Sequence, residues 1–297
     1  KMHGLGNDFI VFDARAPGEV PSAAALRRLA DRRTGIGFDQ ALVLAPPRRA
    51  GTDVFYRIFN ADGSEVEQCG NGARCFARFV RDQGLTDKDE IPVGTAAGPI
   101  RLYCEPDGQV RVNMGLPVLE PARIPFLVPG QALTYPLEVV GERLTIGAVS
   151  MGNPHAVLRV TDLESAPVAM LGPQIEHHPR FPARVNVGFM QVLDPCHIRL
   201  RVHERGAGET LACGTGACAA VVVGRLWEIL GERVRVSLPG GDLVIQWLGG
   251  SEPVWMTGPA TTPQYSAASA RTSAPHPPPV RGGRRGIPGR GRTRAPG

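Results

Sequence analysis

Cys69 opens the run Cys-Gly-Asn-Gly-Ala at residues 69–73, and 144 residues later Cys213 opens Cys-Gly-Thr-Gly-Ala at 213–217. A cysteine in a glycine-rich turn at a helix N-terminus meets the unpaired amides of the first helical turn, which stabilise thiolate and lower the thiol pKa from about 8.5. The same amides, open to close approach at Gly70 and Gly214, make an anion site suited to a carboxylate. One such turn fits a nucleophile. Two of them, facing each other across a bound carbon, fit a two-base reaction in which one cysteine takes the Cα proton as thiolate and the other delivers a proton to the opposite face as thiol. The carbanion would be stabilised through its carboxylate by two helix N-termini, so no imine-forming cofactor is required. His155, after Gly152-Asn153-Pro154, and Glu204 are the titratable neighbours expected to set the protonation of the two thiols.

The echo reaches beyond the pentapeptides. Glu65 and Glu209 each lie four residues before their cysteine, Asn60 and Glu204 each nine before. Gly6-Asn7 recurs at Gly152-Asn153 with an offset of 146, and Gln40 finds a polar counterpart at Asn186 by the same offset. A single repeat of this length describes two related halves and not a solenoid. A lone Cys-Gly turn is often structural, but a chance match would not carry its flanks. Zinc is a poor fit, because Cys69 and Cys75, and Cys213 and Cys218, lack the close paired spacing of zinc knuckles. Cys75 and Cys218 read as packing residues, Cys104 and Cys196 have no assigned role, and His177 and His178 read as surface residues. A Cys69–Cys213 disulfide would be an oxidised, inactive form.

These groups need elements to hold them. Ser22 to Arg33 predicts an amphipathic surface helix with Ser22 at its N-cap. Ile100–Cys104 and Gln109–Met114 flank Pro106-Asp107-Gly108 as a hairpin, and Leu137–Val140 and Arg143–Val149 flank Gly141-Glu142 in the same way. Further strands are expected at Val187–Leu193, His197–His203, Val234–Leu238, Asp242–Trp247 and near Val254–Thr257, the last able to close either half. One helix follows each cysteine motif, over Arg74 to Gln83 before Gly84 and about Ala217 to Leu230 before Gly231. The second is apolar on every side from Ala217 to Val223, which marks an enclosed helix. The expected fold class is therefore α+β: two pseudo-symmetric halves, each a strand-rich sheet or barrel around a central helix, with the site in the cleft between them. The expected division is 1–114, 115–258, a final segment 259–265 returning to the first half, and a tail 266–297.

Composition agrees with a globular protein: 297 residues, 42% hydrophobic and 21% charged. The net charge of +5 is carried by the tail, where seven Arg and no acidic residue leave the body with 33 − 7 = 26 basic against 28 acidic residues. That tail, rich in Pro, Gly and Arg, is expected to be a disordered appendage, and without aromatic interleaving it predicts no specific nucleic-acid partner. No stretch approaches a membrane span, and Lys1 to Asp13 lack the layout of a signal peptide, so the expected location is cytoplasmic, where the six cysteines stay reduced. The chain starts at Lys1 without an initiator Met, and a few leading residues are expected to be missing.

Five motifs in order resemble the diaminopimelate epimerase family over about residues 1–265: Met2-His3-Gly4-Leu5-Gly6-Asn7-Asp8-Phe9, Phe59-Asn60-Ala61-Asp62-Gly63-Ser64, Cys69 to Cys75, Gly152 to His155, and Glu204 to Gly216. The resemblance implies cofactor-independent interconversion of LL- and meso-diaminopimelate in lysine and peptidoglycan-precursor biosynthesis, with Cys69 and Cys213 as the acid/base pair assisted by His155 and Glu204. It implies substrate contacts at Asn7, Gln40, Asn60, the Gly70 and Asn71 amides, Asn153, Asn186, Glu204, Arg205 and the Gly214 and Thr215 amides. Such a set suits a small zwitterion with two amino-acid ends, since amide side chains both donate and accept and a guanidinium holds a distal carboxylate. The resemblance also implies a homodimer, with Tyr265 as the counterpart of a family tyrosine in the contact. The rival reading is a two-cysteine racemase of the proline or hydroxyproline type, which takes a one-headed cyclic substrate; Asn60, Asn153, Asn186 and Arg205 argue against it.

Overall fold

Short runs rich in Val, Ile, Leu and Phe, punctuated by glycine turns, leave few stretches long enough for a helix, and strand dominates the chain. The computed structural model describes residues 1–16, 20–66, 70–96 and 98–263. Cys69, Tyr265 and the basic segment 266–297 lie outside the described residues. The first half holds β1 (Met2–Gly4), β2 (Asn7–Asp13), α1 (Ala23–Ala30), β3 (Gln40–Ala45), β4 (Val54–Asn60), β5 (Glu65–Val66), α2 (Gly70–Asp82), β6 (Glu90–Thr95), β7 (Gly98–Cys104) and β8 (Val110–Asn113). After β9 (Tyr135–Val139) the order repeats. The second half holds β10 (Glu142–Ser150), β11 (Pro154–Arg159), α3 (Val168–Glu176), β12 (Asn186–Asp194), β13 (His197–Glu204), β14 (Gly208–Thr210), α4 (Gly214–Leu226), β15 (Arg233–Leu238), β16 (Gly241–Gln246) and β17 (Trp255–Gly258).

Pairing repeats with the order, which makes the halves pseudo-symmetric as expected. β2 runs parallel to β3 with Phe9 opposite Gln40, and β11 runs parallel to β12 with His155 opposite Asn186. Phe59 faces Glu65 across β4 and β5, and His203 faces Glu209 across β13 and β14. A forked ion pair accompanies each: Arg57 Nε and Nη2 donate to Glu65 at 2.7 and 2.8 Å, and Arg201 Nε and Nη2 to Glu209 at 2.6 and 2.8 Å. The Glu65/Glu209 echo in the sequence is thus a strand-end clamp kept in both halves.

β17 borders β16 on one side and β8 on the other, so it closes both halves at once. In the β8–β17 pair Val112 faces Met256, and these residues are themselves 144 apart, so the pseudo-two-fold axis passes between them. Through this pair the strands join in one hydrogen-bonded sheet that wraps both central helices. Ala217 to Val223 are 0–1% exposed, which is why α4 is apolar on every side. Cys75 and Cys218 are buried packing residues, and burial pushes the Cys218 thiol up to about 12. Among the described residues no helix is long and apolar enough to cross a membrane.

Several boundaries differ from expectation for local reasons. α2 starts at Gly70 and α4 at Gly214, each earlier than expected, so the glycines lie in the first turn and not ahead of it. α4 ends at Leu226, not near Leu230: the Ile229 and Leu230 amides return to the Gly224 carbonyl at 3.0 and 3.2 Å, with Glu228 at φ 58° making the reversal expected of Gly231. α3 fills a stretch without a helical signal, its pattern hidden by Gly172 and Pro173. His177 follows it on the surface; His178 is half-buried, its Nε2 3.2 Å from the Glu138 carbonyl.

The β9–β10 loop is Val140-Gly141, one residue earlier than expected, because Glu142 already pairs with Val139. Both loop residues have positive φ, 52° and 79°, as a type I′ turn requires. A β-branched residue there costs about 1–2 kcal/mol, and Val140 is exposed. Val140→Asn should therefore stabilise the protein and raise the thermal midpoint by about 2–4 °C; an unchanged or lower midpoint in calorimetry would refute the turn strain.

Candidate active site

The starts of α2 and α4 meet at the pseudo-two-fold axis, and a cavity of about 1050 Å³ opens in front of them. Their approach depends on glycine. A Cβ on Gly70 would lie 2.7 Å from Met256 Cε, and one on Gly214 would lie 3.0 Å from Met256 Sδ, so both helix ends rest on one fully buried side chain. Asn7, Gln40, Asn60, Gly70, Asn71, Asn153, Glu204, Arg205, Cys213, Gly214 and Thr215 all line the cavity. His155 and Asn186 do not; they lie buried behind its wall. Cys69 is outside the described residues, joined in the chain to Gly70.

The first amides of a helix have no acceptor within it. At Gly70 and Asn71, and again at Gly214 and Thr215, these groups belong to the cavity wall, so two helix N-termini offer partial positive charge to one anion. Cys213 is the N-cap of α4, its Sγ accepting from the Gly216 amide at 3.3 Å and lying 3.6 Å from Thr215 Oγ1. The expected outcome was a lowered thiol pKa. Instead burial, reinforced by the Glu204 carboxylate, pushes Cys213 well above its ordinary value. Magnitudes explain the reversal. A helix terminus contributes about 0.3–1 kcal/mol, less than the roughly 1.4 kcal/mol of a tenfold change in ionisation, whereas full burial of a thiol is the larger effect.

The side-chain amides are held in fixed orientations. Asn7 Nδ2 donates to Asp39 Oδ2 at 2.9 Å while its Oδ1 accepts from Asn71 Nδ2 at 3.3 Å. Asn71 Nδ2 also reaches the Ala212 carbonyl at 3.2 Å, linking the start of α2 to the residue before Cys213. Gln40 Nε2 donates to Asn60 Oδ1 at 3.0 Å, and Asn60 Nδ2 to Ser64 Oγ at 3.1 Å. In the second half Thr210 Oγ1 hydrogen-bonds Glu204. Arg205 is anchored by Nη1 to the Ala183 carbonyl and by its amide to Asn186 Oδ1, both at 3.0 Å. Asn186 Nδ2 in turn donates to the Pro154 carbonyl at 2.8 Å, so both ends of Asn186 are engaged with backbone. His155 Nε2 lies 3.0 Å from Asn153 Oδ1. With Asn153 presenting its oxygen, the ring donates from Nε2, and buried Nδ1 is left as a lone-pair acceptor without a partner among the described residues.

Four contributors were not expected from sequence. Thr210 holds Glu204, and its first-half counterpart 144 residues earlier is Val66; that polar-for-apolar difference was a usable signal. Arg32 and Asp39 line the cavity, Arg32 gripping Asp8 at 3.0 and 2.8 Å and Asp39 at 2.7 Å. Arg74 is fully buried, donating from Nη2 to Asn71 Oδ1 at 3.0 Å and from Nε to the Pro259 carbonyl at 3.2 Å. Its place on an inner helix face gave no hint of this.

Burial, with Arg205 adding to it, lowers His155 from 6.5 to about 3, so the folded protein keeps the ring neutral. The unfolded chain binds a proton near pH 6.5 and the folded one does not until near pH 3. Stability from this residue is thus complete above pH 6.5 and lost as pH falls toward 3, by up to about 1.4 kcal/mol per pH unit. Urea midpoints measured at pH 7, 6 and 5 should fall less steeply for His155→Gln than for the wild type; equal slopes would contradict a neutral buried ring.

The chain matches the sequence profile of the family described as diaminopimelate epimerase over residues 1–120 and 147–263. A diaminopimelate epimerase of Thioalkalivibrio sulfidiphilus is 65% identical over 263 residues, 88% of this chain and 95% of its own length. One of Alkalilimnicola ehrlichii is 62% identical over 265 residues, with the same shares covered. Among solved structures, a phenazine biosynthesis protein of Bacillus anthracis aligns with a TM-score of 0.61 at 15% identity, over 88% of this chain and 95% of that one. A hydroxyproline epimerase from Agrobacterium vitis aligns with a TM-score of 0.61 at 17% identity, over 88% and 89%. At such identities the likeness is one of fold.

Proposed function

The chain belongs to the diaminopimelate epimerase family, and we propose that it interconverts LL- and meso-2,6-diaminopimelate without a cofactor, Cys69 and Cys213 exchanging protons with opposite faces of Cα. The observation that carries this reading is the convergence of two helix N-termini, one from each half, on one cavity. Each helix start is preceded by one of the two cysteines, so the division of labour follows the division of the chain near residue 115.

The substrate α-carboxylate takes the amides of Gly70, Asn71, Gly214 and Thr215, which are already aimed where charge grows as the Cα–H bond breaks. In the resting enzyme Cys213 is a thiol, because burial and Glu204 both oppose its ionisation. It is therefore the proton donor when Cys69, as thiolate, removes the Cα proton; the electron pair passes into the carboxylate and returns to Cα as the Cys213 proton arrives on the other face. Cys69 ends as thiol and Cys213 as thiolate, ready for the reverse direction. A substrate ammonium beside Glu204 would offset the carboxylate that holds Cys213 protonated, easing that transfer. His155, neutral and buried behind the cavity wall, donates from Nε2 to Asn153 Oδ1 and so orients an amide that lines the cavity. Asn60, Asn153 and Arg205 take the distal amino-acid end, with Asn186 setting the Arg205 backbone. Met114, Met151 and Met256, all nearly or fully buried, line the interior against bulk water, which would otherwise protonate the carbanion on either face.

The relatives at 60–65% identity named diaminopimelate epimerase favour the two-headed substrate over the one-headed rival. By the same family likeness we propose a cytoplasmic homodimer, which sedimentation of the purified protein would support with twice the chain mass and refute with the single mass.

Incubated with LL-diaminopimelate in deuterated water, the reduced enzyme should place deuterium at Cα as the meso isomer forms; failure of both in a folded sample would sink the assignment. Cys69→Ser and Cys213→Ser should each lower turnover by at least about a hundredfold, and near-normal epimerisation by either variant would refute the two-base mechanism.

A further inference from the structure

We propose that Glu176, at the end of α3 and outside the cavity, is a positioning residue that sets the Glu204-Arg205 turn in its substrate-binding form; the proposal rests on the functional reading above. Its carboxylate is buried, 3% exposed, and its donors come from both sides of that turn. His203, immediately before Glu204, places Nε2 2.8 Å from Oε2, and the amide of Gly206, immediately after Arg205, donates to Oε1 at 2.8 Å. Arg184 Nη1 donates to the same Oε1 at 3.3 Å. Burial opposes ionisation, but the His203 ring and the Gly206 amide outweigh it and hold Glu176 below the ordinary carboxylate range.

The connection to Arg205 runs through two paths. One is covalent, since Gly206 follows Arg205 in the turn that the Ala207 amide closes onto the Glu204 carbonyl at 3.1 Å. The other passes through Arg184, a non-glycine residue at φ 60°, whose predecessor Ala183 supplies the carbonyl that holds Arg205 Nη1 at 3.0 Å. Glu176 ties down the Arg184 side chain and thereby the segment that seats the guanidinium. Gly172, four residues earlier on the same face of α3, lies against His203, where a Cβ would be 2.6 Å from the ring. The helix is thus fitted to this turn along its length.

The first half carries an independent parallel. α1 is the counterpart of α3, and its Arg27 Nη1 donates to the Asp62 carbonyl at 3.0 Å. Asp62 corresponds to Gly206 at the 144-residue offset, and its turn follows Asn60, the counterpart of Glu204. A Cβ on Gly63 would meet Ala23 of α1 at 2.7 Å, so this helix is fitted to its turn as well. The same helix-to-turn tether therefore occurs twice with reversed polarity, a cation on a carbonyl in one half and a carboxylate on an amide in the other.

Truncation should release the grip on substrate more than the chemistry. With wild-type enzyme converting LL-diaminopimelate under the same conditions, Glu176→Ala should raise KM about tenfold or more while kcat falls less than threefold, the pattern of lost uniform binding. Glu176→Gln keeps an acceptor for the Gly206 amide and should recover most of the loss. A merely structural role would reduce folded enzyme and kcat with KM unchanged, which would overturn the proposal. Arg184→Ala, at an exposed arginine, gives a milder variant should Glu176→Ala fail to fold, with a smaller rise in KM expected and an unchanged KM counting against the proposal. Amide hydrogen exchange supplies a readout independent of activity: the Gly206 amide should exchange at least tenfold faster in Glu176→Ala than in the wild type, with Glu176→Gln close to the wild type and α4 unaltered. Exchange at Gly206 unchanged in Glu176→Ala would refute the tether even if the wild type proved inactive on this substrate.

Discussion

Two helix N-termini come close enough to share one bound anion, and everything else in the cleft depends on that approach. Helix ends carry partial positive charge, so bringing two together is unfavourable unless an anion or hydrogen-bond acceptors lie between them. Here the approach is made sterically possible by Gly70 and Gly214, where a Cβ would collide with the Cε and Sδ of the same Met256 side chain. It is fixed by Asn71, which reaches across from α2 to the Ala212 carbonyl and is itself held by Arg74. Met256 lies at the residue pair through which the pseudo-two-fold axis passes, so the β8–β17 contact that joins the halves also sets the spacing of the helices. Substituting either glycine would displace the anion site and the sheet junction together.

In the proposed mechanism, the same burial that encloses the two helix starts governs the acid/base chemistry. A capping thiol that receives the Gly216 amide has reason to ionise, and a surface cysteine in that position would do so. Cys213 is almost fully buried beside Glu204, and desolvation prevails. A thiol with a raised pKa is a weak resting nucleophile but a strong base once ionised, which suits proton return to Cα in the reverse direction. In the proposed mechanism reactivity would thereby be tied to occupancy, since substrate charge is what can offset Glu204. His155 follows the same logic, its ring kept neutral by burial.

Much of this was legible in the residues. The doubled Cys-Gly turn with its flanks pointed to paired halves, and the strand register repeats that symmetry residue for residue, Phe9 opposite Gln40 and His155 opposite Asn186. The enclosed helix at Ala217 to Val223 and the Ser22 N-cap, whose Oγ accepts from the Ala25 amide at 3.2 Å, came from periodicity and capping chemistry alone. The start of α4 was misplaced because Cys213 took the capping role that Ser or Asp usually fills, and at both helices glycine in a first turn reads as loop. α3 was hidden because its apolar face is interrupted by Gly172, which the close fit to His203 demands. Arg74 and Glu176 escaped notice because a charged residue in a helix reads as solvent-facing until its tertiary partners are known.

The departures from symmetry are where the two halves acquire different work. At equivalent places Asn60 stands against Glu204, Val66 against Thr210, and Phe9 against His155. Each replacement puts an ionisable or polar group in the second half, and each adjoins another: Thr210 hydrogen-bonds Glu204, and His155 bonds Asn153. Even the outer helices follow, α1 reaching its turn with the Arg27 cation and α3 with the Glu176 carboxylate. A carboxylate on the Gly206 amide leaves the neighbouring Arg205 guanidinium free to face the cavity, whereas a second cation there would repel it. On the proposed function, the polarity of the tether is matched to the charge that its turn must present, and a duplicated scaffold would hold a zwitterion in one orientation.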